Sequence, residues 1–219
     1  IAIGETTTRL TTSISRSLNG ANIGGAGSFT GAPRPFDWDQ RSTPSRHAAA
    51  YELLKSRGHN VVGHSSKGSA ELIAGDLEDP AAPRNIWDTA LDELDGRIDV
   101  LVNNAGIYEA VADNAPDDEW RAAWQRTLTI NLQASADLSK LAVSHFLDLG
   151  SPGRIVNVAS RAGWRGDSPQ HWHYAASKAA IIGMTKTIAR AYAADGILAF
   201  AVAPGFTVSE MTEEYLEGR

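Results

Sequence analysis

Apolar positions change their period along this chain, and the changes mark its elements. Tyr174, Ser177, Lys178, Ile181, Ile182, Thr185, Ile188 and Ala189 recur at i, i+3, i+4, i+7, which predicts a helix over 174–194 with one mostly apolar face. "AAAYELLKSRG" predicts an earlier helix from Ala48, with Leu53 and Leu54 inward and Gly58 as its stop. "RNIWDTALDEL" predicts another. "DDEWRAAWQRTLTINLQASADLSKLAVSHFLDL" predicts a long helical region broken near 129–131. Between these lie short apolar runs that read as strands: "HNVVGH", Leu72 to Ala74, "IDVLVNNAG", "GRIVNVAS" and "ILAFAVAPG". The run in "IDVLV" is nearly unbroken, as expected of a strand covered on both faces.

Strands alternating with helices predict an α/β domain with parallel pairing, right-handed crossovers and helices on both faces. The pattern holds over 48–219. Residues 1–47, rich in Gly, Ser, Thr, Pro and Arg, lack a sustained period and read as an irregular or disordered segment. Arg9 and Arg16 among Ser and Thr faintly resemble a transit peptide, but terminal disorder is the commoner origin of such a stretch. In sheets of this kind ligands gather at the carboxyl ends of the strands. That rule puts "NNAG" (103–106), "AS" (159–160) and "APGFT" (203–207) on one rim.

Composition narrows the field without naming a chemistry. The chain has 219 residues, a net charge of −6 and no block of basic residues, which argues against nucleic acid or a membrane surface as partner. It has no cysteine, which excludes disulfides and thiolate chemistry and fits a cytoplasmic location. No apolar run is long enough to span a bilayer.

The helix from Tyr174 carries Lys178 one turn later, on the same side. A nearby cation favours the phenolate and brings a tyrosine pKa down from about 10 toward neutrality. Such a pair facing a cleft suits proton transfer. A buried tyrosine beside a lysine reaching for water has the same spacing, and on the pair alone that reading is the commoner. Ser160, just past a strand, can bind a substrate oxygen or simply cap a turn. Asn131 sits where a helix disfavours it, either for a reason or at a solvated break.

Taken in order, "NNAG", Asn131, "VNVAS", "YAASK" and "PG" resemble the motif set of the classical short-chain dehydrogenases/reductases, and within them the 3-oxoacyl-carrier-protein reductases. The similarity runs from about Ala48 to the end of the chain. It implies a Rossmann-like, doubly wound parallel sheet in three αβα layers. It also implies roles: Tyr174 as general acid/base, Lys178 lowering its pKa and binding the nicotinamide ribose, Ser160 orienting the substrate oxygen, and Asn131 holding a water for proton relay. Asn104, Ala105 and Gly106 would line the adenosine side of the cofactor. Asp76 and Leu77 would meet the adenine, and Pro204, Gly205 and Thr207 the nicotinamide.

The family also implies a TGxxxGxG turn near 39–46, where this chain has "DQRSTPSR", and "GGAGSFTG" (24–31) does not keep the spacing. The sheet is therefore expected to be incomplete at its N-terminal strand. Three explanations are open: an aberrant reading of the segment, a divergence that abolishes cofactor binding, or a different backbone solution. The abrupt return of the pattern at Ala48 favours the first. Family chains continue past "PGFTVSEMTEEYLEGR" with a further helix and strand, so the natural protein is expected to extend further.

At the end of the second strand His64 and Ser65 precede Ser66 and Lys67, with no acid to pair with ribose hydroxyls, so NADP(H) is favoured over NAD(H). His171 and His173 lack a third ligand, and no metal is expected. Small residues on the helix from Tyr174 allow close helix approach or simply favour the helix, and the resemblance implies a homodimer or homotetramer through the helices around 118–149 and 174–194. The expected function is NADP(H)-dependent interconversion of a carbonyl and a secondary alcohol. The alternative is a non-catalytic scaffold of the same fold that has lost the dinucleotide.

Overall fold

The computed structural model describes residues 2–4 and 46–205. A first strand, β1 (Ala2–Gly4), is followed among the described residues by α1 (Arg46–Ser56), β2 (Asn60–Ser65), β3 (Leu72–Ala74) and α2 (Ala82–Glu93). Then come β4 (Val100–Asn103) and α3 (Asp117–Leu128), which runs through a π-helical turn (Thr129–Gln133) into α4 (Ala134–Asp148). Strand β5 (Gly153–Val158), the short α5 (Ala162–Arg165), α6 (Trp172–Tyr192), a 3₁₀ turn (Ala193–Asp195) and β6 (Ile197–Val202) complete the order. The predicted elements are present within a few residues of their expected ends. Helix α1 begins two residues before Ala48, and Gly58 follows it at φ +80°.

The sheet order is β3-β2-β1-β4-β5-β6. Strands β2 and β3 pair in parallel, as do β4, β5 and β6. Strand β1 lies between the two groups and runs antiparallel to both, with Ala2 opposite Val62 on one side and Leu101 on the other. Strands β2 to β6 therefore share one direction, and β1 alone is reversed. The segment 1–47 was expected to be irregular; its residues 2–4 instead fill the central place in the sheet.

The main core lies on one face, where Trp87 and Ala90 of α2 and Ala142, Val143 and Phe146 of α4 cover Val62, Leu101, Ile155 and Ile197. Ile188 and Tyr192 of α6 extend it. Successive strand residues point to opposite faces, so Gly63 points away from that core, to where Tyr51 of α1 lies. Helix α1 turns Tyr51 inward and leaves Leu53 half exposed, contrary to the expectation from its apolar pair. Acidic residues Asp117, Asp118 and Glu119 occupy the first turn of α3, where the helix dipole favours negative charge.

A buried polar network crosses this core. Asn103 and Asn157 are register partners on β4 and β5, and Asn103 Nδ2 donates to Asn157 Oδ1 at 2.8 Å and to Ser139 Oγ at 3.1 Å. Asn157 Nδ2 donates to Thr185 Oγ1 at 2.9 Å. Two strands, α4 and α6 are thereby held in one relative position just below the rim where the ligand-binding residues gather. Replacing Asn157 with Leu removes an acceptor from Asn103 and a donor from Thr185. The expected cost is about 2–3 kcal/mol, read as a lower urea midpoint at unchanged slope; a loss below about 0.5 kcal/mol would contradict the bracing role.

Candidate active site

Three strand ends form the predicted rim. The segment after β5 is tied to the segment after β6 by two backbone bonds: Ala159 N–H donates to Val202 O (2.8 Å) and Arg161 N–H to Pro204 O (3.1 Å). Ser160 stands between those two donors. Its Oγ accepts the Ala162 N–H at 3.1 Å, which leaves its own hydrogen free to donate.

Asn131 lies in the π-helical turn, completely buried. Such a turn inserts one residue into the helical ladder and changes the face its side chains take. The Asn131 amide grips the segment after β4 from both directions: Oδ1 accepts the Ile107 N–H at 2.7 Å, and Nδ2 donates to Ile107 O at 3.0 Å. Nδ2 also reaches Ser177 Oγ on α6 at 3.3 Å.

Lys178, nearly enclosed, donates from Nζ to Val158 O at 3.0 Å, at the end of β5. A Cβ on Gly106 would lie 3.2 Å from Asn131 Oδ1 and 3.3 Å from Lys178 Nζ. Glycine at this position is what leaves room for amide and ammonium together. Tyr174 lies one turn before Lys178, with Nζ 5.8 Å from its ring centroid. Asn131, Tyr174, Lys178 and Gly106 are thus brought to one place, and Ser160 lies two residues beyond the carbonyl that anchors the lysine. Helix α5 lies so close on α6 that a Cβ on Gly163 would be 2.5 Å from the Lys178 carbonyl carbon.

Beside this cluster is a cavity of about 620 Å³. His64, Ser65, Asp76, Leu77, Asn104, Ala105 and Gly106 all line it. Gly106 belongs to both the cavity wall and the lysine cluster and joins the two. Pro204, bonded through its carbonyl to the Arg161 N–H, and Gly205 are not part of the cavity wall. Thr207 lies outside the described residues, as do residues 39–45 of the expected phosphate turn.

Burial lowers the His64 pKa, partly offset by its Nε2–H donating to Gly75 O at 2.6 Å. His64 is therefore a neutral hydrogen-bonding group near pH 7.

Two further groups belong to the site without any motif to mark them. Arg126 on α3 lines the cavity and pairs with Glu78 (2.7 Å) and Glu109, binding the segments after β3 and β4 across its mouth. The two carboxylates hold its guanidinium charged beyond the ordinary range, Glu109 contributing most. Tyr108, in the segment after β4, packs against Tyr174. A charged residue on a helix face usually faces solvent and a loop tyrosine has no period, so neither carried a signal.

Known proteins are similar to this chain in sequence and fold. The model of the short chain dehydrogenase family matches residues 46–219. A 3-oxoacyl-[acyl-carrier-protein] reductase of Synechocystis sp. is 38% identical over 177 residues, 73% of this chain and 69% of that protein. Among solved structures, a 4-hydroxyisoleucine dehydrogenase complexed with NADH is similar at a TM-score of 0.67 and 26% identity, over 78% of this chain and 75% of the other. A candidate NAD(P)-dependent gluconate 5-dehydrogenase from Beutenbergia cavernae, with NADP at low occupancy, is similar at a TM-score of 0.61 and 31% identity, over 77% of this chain and 61% of the other.

Burial sets the pH response of this region. His64, His145, His171 and His173 each have a pKa below the ordinary 6.5, desolvation being the largest cause in each. Below that value the unfolded chain binds protons that the folded chain resists, so these residues make stability fall as pH is lowered; above it they contribute no slope. The thermal midpoint is expected to drop as pH falls below about 6.5. Gln at position 145 keeps an acceptor for the Ile98 N–H that His145 Nε2 now accepts at 3.2 Å. His145→Gln should therefore reduce the drop, and an identical pH profile in that variant would contradict this origin.

Proposed function

The chain belongs to the short-chain dehydrogenase family, an NAD(P)-dependent oxidoreductase family, and from that premise we propose that it interconverts a carbonyl and a secondary alcohol using NADP(H). The observation that carries the reading is the meeting of Lys178 and Asn131 at Gly106, with the Tyr174 ring beside Lys178, where the cluster adjoins the cavity. The residues fit a dinucleotide there: Gly106 leaves a gap that a side chain would fill, beside an ammonium able to bind ribose hydroxyls. His64, Ser65, Asp76, Leu77, Asn104 and Ala105 would hold the adenosine side, and Pro204, Gly205 and Thr207 the nicotinamide side. The cofactor, when bound, supplies or accepts a hydride at a carbon centre.

The protein's part is charge and proton. In reduction, negative charge grows on the carbonyl oxygen as its carbon gains hydride. The Ser160 hydroxyl donates a hydrogen bond to that oxygen and the Tyr174 O–H gives it the proton, leaving an alcohol and a phenolate. Lys178 stabilises the phenolate, and oxidation runs the same transfers backward. Asn131 would hold the water of the proton relay and has a second part. Its side-chain amide, engaged by Ile107 and Ser177, also positions the segment carrying Gly106.

The preference for NADP(H) rests on the end of β2, where Ser65, Ser66 and Lys67 follow a neutral histidine with no carboxylate among them. Glu71, elsewhere on the cavity wall, lies 3.5 Å from Lys55. For assembly, a second copy would pack on the helices around 118–149 and 174–194, where Trp172 is half exposed and meets Trp120 edge-on at 5.5 Å. The absence of cysteine supports a reducing cytoplasm as its compartment.

Titration followed by NADPH fluorescence should show saturable binding, tighter than for NADH. No binding at millimolar cofactor would sink the enzyme reading and leave the scaffold. With ethyl acetoacetate as a 3-oxoester probe, Tyr174→Phe should lower kcat by about 10²–10⁴-fold, whereas turnover at the parent rate would refute proton transfer by Tyr174.

A further inference from the structure

We propose that Tyr108 is a positioning residue for Tyr174, an inference that rests on the acid/base reading of Tyr174. The two rings meet at nearly a right angle, 83°, with centroids 4.7 Å apart. Tyr108 is itself backed by His171, stacked at 3.9 Å and 5°. His171 is nearly enclosed, and its Nδ1 lies 2.6 Å from Ser168 Oγ, which fixes the imidazole plane. His173, fully buried, lies parallel behind it at 6.5 Å, and Trp124 adjoins His173 at 6.0 Å.

Hydrogen bonds hold the same two segments together. The Tyr108 hydroxyl donates to Asp167 Oδ1 at 3.4 Å, and the Val111 N–H donates to Gln170 O at 3.0 Å. The segment after β4 and the segment leading into α6 therefore form one braced wall. A phenol moves by rotation about its side-chain bonds, and a ring packed edge-to-face against it narrows that rotation. Proton transfer tolerates little misplacement: an error near 1 Å costs about 10²-fold in rate. The Tyr108 ring, supported by His171, keeps the Tyr174 oxygen in register with Ser160. Its hydroxyl bond to Asp167 is long and exposed, and the ring is what the proposal turns on.

Two readouts test this. The chain has five tyrosines. In ring-labelled protein, the Tyr174 resonances, assigned by their loss in Tyr174→Phe, should move toward random-coil positions in Tyr108→Ala and stay in place in Tyr108→Phe. In reduction of ethyl acetoacetate by NADPH, Tyr108→Ala should lower kcat about tenfold or more, with the KM for NADPH and the thermal midpoint nearly unchanged; Tyr108→Phe should keep the parent kcat. If Tyr108→Ala does not fold, His171→Ala and His171→Phe replace the pair, with loss expected only for Ala. Unmoved Tyr174 resonances overturn the proposal even if the chain shows no turnover. Parent kcat in the Ala variant, loss in the Phe variant as large as in Ala, or matched losses of kcat, NADPH affinity and stability also overturn it. Turnover that survives Tyr174→Phe removes the underlying reading instead.

Discussion

A single carboxamide joins the parts of this site. Asn131 both accepts from and donates to the Ile107 backbone while reaching Ser177 on α6, so it links the end of β4, the π-helical turn and the helix of Tyr174 and Lys178. Its side chain is fully buried, where an unmade bond costs about 1–3 kcal/mol. The helical ladder widens at 129–133, and a side chain at residue 106 would crowd the amide and the ammonium. Lys178 adds the fourth element by binding the Val158 carbonyl at the end of β5. Below this layer the Asn103–Asn157–Thr185 chain fixes the same strands and helices a second time.

Much of this was legible because period and motif coincide. The apolar stripe from Tyr174 located α6, and the break at 129–131 located the π-helical turn, since Asn there opposes its own helix propensity. What escaped depended on contacts between distant segments. Ala2–Gly4 is too short to show any period, and its place in the sheet is decided by pairing with β2 and β4. The α1 pattern offers Tyr51 and the Leu53–Leu54 pair, and the adjacent Gly63 decides for Tyr51 by leaving space for a ring. Asn103 and Asn157 look like two ordinary strand residues until the register sets them side by side.

The site residues divide along the same line. Of the residues named by motif, His64, Ser65, Asp76, Leu77, Asn104, Ala105 and Gly106 line the cavity, Asn131 and Lys178 meet at Gly106, and Ser160, Pro204 and Gly205 lie outside both. Arg126 and Tyr108 have no motif and become visible only when segments after different strands converge. Both tie the segment after β4 to another part of the molecule, Arg126 at the cavity end and Tyr108 at the Tyr174 end. That segment is held at three successive points, Ile107, Tyr108 and Glu109, each through a different partner. A stretch without regular secondary structure is thereby made rigid enough to carry a wall of the site.

The central claim is spatial: the Tyr174 phenol, the Lys178 ammonium and the Ser160 hydroxyl face one nicotinamide. A crystal structure of the chain with NADPH tests it most directly. The account predicts ribose hydroxyls on Lys178 Nζ, adenosine in the cavity beside Asp76 and Leu77, and the nicotinamide ring opposite Ser160 and Tyr174. A dinucleotide seated elsewhere, or one whose nicotinamide points away from Tyr174, would contradict it.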